Sequence, residues 1–368
     1  MLTFRLRYTG DYLDQNGEVA YGDIGRSALA KYPWIETGFL SDQKPCDESY
    51  WDRLYSLEIH PHHVAGTNGI IIFRPWVRAS AFAAGASDLF VIGRAGAGYD
   101  KIDLDACTAN DVAVFNAPDT LTHSTASSAL LFMLALAKRL PEQERLARSG
   151  CWKLQPAVRG SDLTGLTLGI VGLGQTGAEL ARLAAAFDMR ILAYSPHAEP
   201  QRAEALGVTL VTSLDSLLQQ ADFVSLHCRL LPENHRMIGE REFRLMKPGA
   251  FFINVGRGEL VDQPVLVRAL RERWIAGAGL DVFEVEPLPA GDPMLALDNV
   301  ILTPPWLPAT TQASLATASR MADGVVRASQ GRIPEFVLNR DVLARPGFQA
   351  KLARFAANAD LTAAAEVR

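Results

Sequence analysis

Residues 172–177 read Gly-Leu-Gly-Gln-Thr-Gly, and no other stretch limits the possible folds so tightly. The preceding run, 166–171, is apolar with β-branched members and reads as a buried strand. Residues 178–187 are rich in strong helix formers, and 189–194 reads as a second strand. This order has a physical purpose. Gly172 permits a tight turn, Gly174 lets the backbone approach a pyrophosphate, and Gly177 lets the helix pack closely on the strand. The open N–H groups and positive dipole end of the helix then face phosphates. A glycine spacing alone could be a packing turn. Set between a strand and a helix, it predicts a dinucleotide site.

The rest of the chain repeats the alternation. Segments 221–227, 250–255, 278–282 and 300–303 read as further strands separated by helical stretches, which predicts βαβ units and a parallel sheet. Upstream, 69–73, 89–92 and 112–115 are buried-strand candidates without a convincing glycine fingerprint. Residues 124–140 read as a helix closed by Pro141, followed by a polar stretch, and 310–329 as a helix returning to the first unit. The expected fold is α/β: two doubly wound parallel-sheet domains, with a Rossmann-type nucleotide domain inserted into a flavodoxin-like substrate domain. The expected boundaries are 1–118 with 305–345 for the substrate domain, 119–304 for the nucleotide domain, and 346–368 for a C-terminal helical tail, a surface helix or frayed end. A cleft between two such domains is a common place for a substrate.

Composition narrows the function. At 368 residues, 48% hydrophobic and 21% charged, the chain is an ordinary globular sequence of about two domains. Its net charge of −5 and lack of a basic run point away from nucleic acid and anionic membranes. No apolar run is long enough to span a bilayer, and the N-terminus lacks a signal-peptide core. Cys46, Cys107, Cys151 and Cys228 lie far apart, without metal or disulfide spacing, which suits a reducing, cytoplasmic setting. His60, His62 and His63 form a cluster with no nearby Asp or Cys at ligand spacing. They read as a loop, and no metal is expected.

Ligands of open α/β sheets lie beyond the carboxyl ends of the strands. That rule selects Ser195, Cys228, Arg257, Asp281 and Pro305. Arg257 stands between Gly256 and Gly258, where a guanidinium could hold a carboxylate bidentately and polarise a carbonyl; a surface salt bridge is the plainer alternative. Asp281 could accept from a nicotinamide amide, and Glu286 could tune a partner, whereas Glu284 reads as a solvated side chain. The turn at Gly96, Ala97 and Gly98 offers backbone N–H groups suited to a small carboxylate, or is a plain turn.

Several motifs together resemble the D-isomer-specific 2-hydroxyacid dehydrogenases. They are Gly-Ala-Gly-Tyr-Asp-Lys-Ile-Asp (96–103), the glycine turn, Ser-Leu-His-Cys (225–228), Met-Lys-Pro-Gly-Ala (246–250), Asn-Val-Gly-Arg-Gly-Glu-Leu-Val-Asp (254–262) and Gly-Leu-Asp-Val-Phe-Glu-Val-Glu-Pro-Leu-Pro (279–289). The resemblance runs from about residue 65 to 325 and leaves the first 60 residues unmatched. It implies an oxidoreductase acting on a small 2-hydroxy or 2-oxo acid, usually a homodimer through the nucleotide domain. Arg257 would bind the carboxylate and carbonyl, Glu286 would pair with a catalytic histidine, and Asp281 would lie near the nicotinamide. Gln175 and Thr176 would contact the pyrophosphate, and Ala97 and Gly98 would donate to the substrate carboxylate. The cofactor-binding candidates are Gly172, Gly174, Gln175, Thr176, Gly177, Ser195, Cys228, Val255, Gly256 and Asp281. Arg74, Ala97, Gly98 and Arg257 are the substrate-binding candidates, with Trp76 and Trp306 as possible pocket walls.

The chain departs from the family pattern twice. Where the family reads Thr-Pro-His, this sequence reads Thr303-Pro304-Pro305-Trp306, and no histidine follows His235. Losing a general acid typically costs about 10² to 10⁴ in rate. Glu286, a water or His123 could supply the proton, although His123 also reads as a surface or capping residue. Second, Tyr194-Ser-Pro-His197 replaces the acidic residue that would bind the ribose 2′-hydroxyl, so NAD is expected and NADP remains open. Pro305 also admits two other readings: a dinucleotide-binding sensor without turnover, and a same-fold enzyme with altered, cofactor-retaining chemistry.

Overall fold

The computed structural model describes residues 2–47 and 49–359, and the chain divides into two compact units, Met1–Leu121 with Thr310–Arg368, and Thr122–Ala309. Both are α/β units built on wholly parallel sheets.

The first unit holds β1 (Phe4–Tyr8), β2 (Ile35–Phe39), β3 (Gly69–Ile72), β4 (Val91–Arg94) and β5 (Ala113–Asn116), in the order β2-β1-β3-β4-β5. This is the flavodoxin-like order. β3 and β5 are buried on both faces, as parallel strands covered by helices must be. β1 and β2 come from the stretch that the sequence left unassigned. In β1, Arg5 and Arg7 alternate with buried Phe4, Leu6 and Tyr8, and β2 is a half-buried edge strand. Neither shows the continuous apolar run that marks the central strands.

The helix Thr311–Ser329 starts at Thr310, whose hydroxyl accepts from the Ala313 N–H, and sends Met321, Ala322, Val325 and Ala328 into the core with Phe4, Leu6 and Phe115. The following helix, Pro346–Ala353, is no surface tail. Phe348, Leu352 and Phe355 are buried in the same core, with Phe90 and Phe355 rings stacked at 5.3 Å. The Ala-rich sequence hid this because only these few apolar residues carry the packing. Residues 360–368 lie outside the described residues.

The second unit holds β6 (Thr167–Val171), β7 (Arg190–Tyr194), β8 (Thr209–Leu210), β9 (Phe223–Leu226), β10 (Phe251–Asn254), β11 (Gly277–Leu280) and β12 (Val300–Leu302), in the order β12-β11-β10-β9-β6-β7-β8. The strand order reverses between β6 and β9, which makes that point the switch of a Rossmann sheet. Residues 305–309 belong here and not to the first unit, because the Leu307 N–H is bonded to Asp281. Pro141 does more than end a helix. The helix Thr122–Ala137 stops before it, and Leu140–Ser149 begins with Pro141 in its first turn, where the fixed φ of proline fits. No helix among the described residues is long and apolar enough to cross a membrane.

Candidate active site on the nucleotide-binding unit

One row of paired residues sets the site. Tyr194, Val171, Leu226, Asn254, Leu280 and Leu302 are register partners across β7, β6, β9, β10, β11 and β12. The next residue of each strand therefore emerges along one crest: Ser195, Gly172, His227, Val255, Asp281 and Thr303. This is the carboxyl edge of the sheet, where open α/β sheets bind ligands.

The glycine turn fits a dinucleotide. Gly172 has φ +98°, a left-handed value, and a Cβ there would lie 2.6 Å from the Cys228 nitrogen. A Cβ on Gly177 would overlap the Gly172 carbonyl oxygen, so only glycine allows the helix to sit so close. At Gly174, by contrast, nothing lies within 4 Å of such a Cβ. The protein itself makes no use of that gap, which a pyrophosphate would fill. Gly174 is also the N-cap of the helix Gln175–Ala185, and no side chain caps it, so the first N–H groups remain for an anion. The Gln175 side chain accepts from the Thr122 hydroxyl at 3.3 Å. Ser195 is half-buried at the end of β7 and has no acidic side chain next to it in sequence, while Arg202 is exposed on the helix Pro200–Ala205.

The arginine loop is rigidly held. Asn254, only 1% exposed, accepts from the Gly256 N–H at 3.0 Å and donates to the Arg257 carbonyl at 2.9 Å. A Cβ on Gly258 would overlap the Phe283 carbonyl, so glycine lets this loop press against the loop after β11. Arg257 itself is half-buried and donates to the Gly256 carbonyl at 2.8 Å. Asn254 went unnoticed among the candidates, although it stands within the Asn-Val-Gly-Arg-Gly-Glu motif.

Beside it, the Asp281 side chain is buried and accepts at Oδ1 from the Thr303 hydroxyl (2.7 Å) and the Leu307 N–H (3.1 Å). Burial pushes its carboxyl up to about 6, against the pull of those bonds. Glu286 accepts from the Phe283 N–H at 3.0 Å. Glu284 corrects the expectation of a merely solvated side chain: it is ion-paired with Arg236 at 2.6 Å. On β9, Ser225 and His227 share a hydrogen bond of 2.8 Å, and burial lowers the His227 imidazole to about 4 and raises the Cys228 thiol to about 11.

His123 lies in the first turn of the helix Thr122–Ala137. Its Nδ1 pairs with Glu179 at 2.7 Å, its side chain is 69% exposed, and Arg182 shares the same carboxylate. This is a surface ion pair between helices.

In the first unit, Arg74 follows β3. Its N–H donates to buried Asp11 at 3.0 Å, and its guanidinium stacks 4.0 Å from the Phe73 ring centroid. The Ala97 carbonyl accepts from Asn116 at 2.8 Å, while among the described residues the Ala97 and Gly98 N–H groups donate to no partner. That leaves two adjacent donors at a strand end.

The histidine cluster is not a loop, and it has a carboxylate that the sequence did not suggest. The short helix Pro61–Val64 brings His62 and His63 to Asp42, at 3.0 and 2.8 Å. The three ligand atoms lie within 4.8 Å of one another. The tautomer argues against a metal. His63 Nδ1 accepts the His60 N–H at 3.0 Å, so the ring proton stands on Nε2, where it donates to Asp42 and occupies the lone pair a metal would need.

A parallel sheet with a glycine cradle at its switch point defines a class: Rossmann-type dinucleotide-binding proteins, here with a guanidinium two strands away. The family model for the D-isomer specific 2-hydroxyacid dehydrogenase NAD-binding domain matches residues 130–305. The chain is 42% identical over 278 residues to a glyoxylate reductase of Korarchaeum cryptofilum, covering 74% of this chain and 83% of that one. The D-lactate dehydrogenase of Aquifex aeolicus, solved with NAD and lactic acid, superposes with a TM-score of 0.73 at 26% identity, over 88% of this chain and 94% of that one. An NADPH-dependent glyoxylate/hydroxypyruvate reductase of Sinorhizobium meliloti, solved with NADP and malonate, gives 0.71 at 26% identity, over 88% and 92%. The chain belongs to the D-isomer specific 2-hydroxyacid dehydrogenase family, and its second unit is that family's NAD-binding domain.

Proposed function

We propose that the protein reduces a small 2-oxo acid to the 2-hydroxy acid, or catalyses the reverse, with NAD or NADP. The observation that carries this reading is the crest row, which sets a glycine cradle open at Gly174 and a braced Arg257 on one edge of one sheet. A bound reduced nicotinamide supplies the hydride. Arg257 holds the carboxylate and draws charge onto the carbonyl oxygen as it becomes an alkoxide. In the first unit, the Ala97 and Gly98 N–H groups and Arg74 are the proposed substrate contacts. Gly172, Gly174, Gln175, Thr176, Gly177, Ser195, Cys228, Val255, Gly256 and Asp281 are the proposed cofactor contacts. NAD is preferred, since no arginine adjoins Ser195 to bind a 2′-phosphate.

We propose a homodimer through the nucleotide-binding unit. Leu131, Leu140, Trp152 and Leu154 are exposed, at 48%, 53%, 64% and 49%, on consecutive segments of that unit. Large apolar residues left exposed in sequence neighbours favour an interface. Four free cysteines suit the cytoplasm.

The test is oxidation of NADH and NADPH followed against a panel of 2-oxo acids that includes glyoxylate, hydroxypyruvate and pyruvate. Saturable turnover of at least one is expected. Tight cofactor binding with no turnover would favour the second reading, a dinucleotide-dependent sensor, which Pro305 supports because proline carries no proton.

A further inference from the structure

Reducing a ketone places a proton on oxygen, and few of the groups along the crest row can supply one. A guanidinium is a donor of hydrogen bonds and not a general acid, which sets Arg257 aside. Pro305 has none. The His227 ring is held neutral and engaged with Ser225. His123 is tied to Glu179. Asp281 remains. It lies one residue beyond Leu280, Thr303 lies one residue beyond Leu302, and Leu280 and Leu302 are register partners, so the two side chains leave neighbouring strands at the same level. They meet at 2.7 Å. Asp281 is 3% exposed, whereas Thr303 is half-buried, so Thr303 is the more accessible residue of the pair.

We propose that Thr303 delivers the proton to the substrate oxygen and Asp281 replenishes it, the pair standing in for the histidine that this chain lacks. The proposal rests on the reductase reading above.

The chemistry balances. The carbonyl carbon gains hydride, its π pair moves onto oxygen, and that oxygen takes the proton of Thr303 Oγ1. Oγ1 takes the proton of the Asp281 carboxyl, leaving a carboxylate that solvent reprotonates. In the ionised state Thr303 donates to Asp281. Once the carboxyl is protonated that bond reverses, freeing the hydroxyl proton for the substrate. The groups acting on Asp281 are its buried surroundings, the Thr303 hydroxyl and the Leu307 and Trp306 N–H groups. The ionisable groups on the adjoining loops are Arg257, Glu259 and Asp262 after β10, and Glu284, paired with Arg236, and Glu286, bonded to the Phe283 N–H, after β11.

Asp281 in this role is a positioning and replenishing group, so its test needs readouts that a structural role would leave alone. The first needs no turnover. Infrared difference spectra of wild type against Asp281→Asn should isolate a carboxyl titrating near 6. Thr303→Val should move it upward, because a bond favouring the charged form is lost, and Thr303→Ser should leave it in place. The second is kinetic. Reduction uses the protonated form, so kcat/KM should fall tenfold per pH unit above about 6, while oxidation of the hydroxy acid should rise through the same pH. Asp281→Asn and Thr303→Val should each lower reduction about 10²- to 10⁴-fold and abolish that limb, with Thr303→Ser restoring most of it. Wild-type turnover whose pH profile survives both substitutions overturns the relay and leaves the reductase reading standing. Absence of wild-type turnover with reduced cofactor bound overturns both.

Discussion

Replacing Asp281 by Asn should make the protein more stable at neutral pH. The carboxyl rises from 3.8 to about 6 on folding because burial disfavours its charge. Below pH 3.8 it is protonated in both the folded and unfolded chain, and folding gains nothing from ionisation. As pH rises, the unfolded chain ionises first, and the folded state loses ground until the buried group also ionises near 6. At about 1.36 kcal/mol per pH unit, that window amounts to about 3 kcal/mol, present in full at pH 8 and about half developed at pH 5. Asn is nearly isosteric, does not titrate, and can still accept from the Thr303 hydroxyl and the Leu307 N–H. The stabilisation by Asp281→Asn should therefore be about 1.4 kcal/mol larger at pH 8 than at pH 5. The His227 contribution has the opposite slope but cancels, since both variants carry it. Urea unfolding at both pH values, followed through the transition of the nucleotide-binding unit, measures the difference. An equal shift at the two pH values would refute the claim that this carboxyl is perturbed. A variant that gains stability as it loses turnover is what a strained functional residue produces.

Four further outcomes follow from packing and exposure. Gly174→Ala should leave stability nearly unchanged, because nothing lies within 4 Å of the added Cβ, yet weaken cofactor binding in a fluorescence titration. Gly177→Ala should damage both, since its Cβ meets the Gly172 carbonyl. Phe348→Ala should cost the first unit about 3–5 kcal/mol in denaturant unfolding, as expected for a fully buried ring and not for a surface tail. Trp152→Glu combined with Leu154→Glu should shift the mass in analytical ultracentrifugation toward monomer, and an unchanged mass would place the interface elsewhere.

Much of the fold was legible because a parallel sheet writes itself plainly. Ile70, Ile71 and Ile72, or Phe252 and Ile253, are apolar without interruption because both faces are covered. β1 was not legible, because Arg5 and Arg7 break the run, and neither was β8, which has only two residues. The glycine turn and Arg257 could be read from local spacing, since their roles depend on neighbours in sequence. Contacts that close over distance could not. Asp42 meets His62 across 20 residues, Glu284 meets Arg236 across 48, and Asp281 meets Thr303 across 22. In the sequence Thr303 is only the end of a strand and the start of the motif that lacks a histidine. Nothing in its own sequence announces the carboxyl that strand pairing places beside it.

The most direct test of the central claim is kcat/KM for 2-oxo acid reduction by Arg257→Ala against wild type, with cofactor affinity measured on the same samples. Removing a donor aimed at developing charge typically costs about 10²- to 10³-fold, so a loss of at least that size with unchanged cofactor binding is predicted. Retention of wild-type kcat/KM by Arg257→Ala would contradict the account.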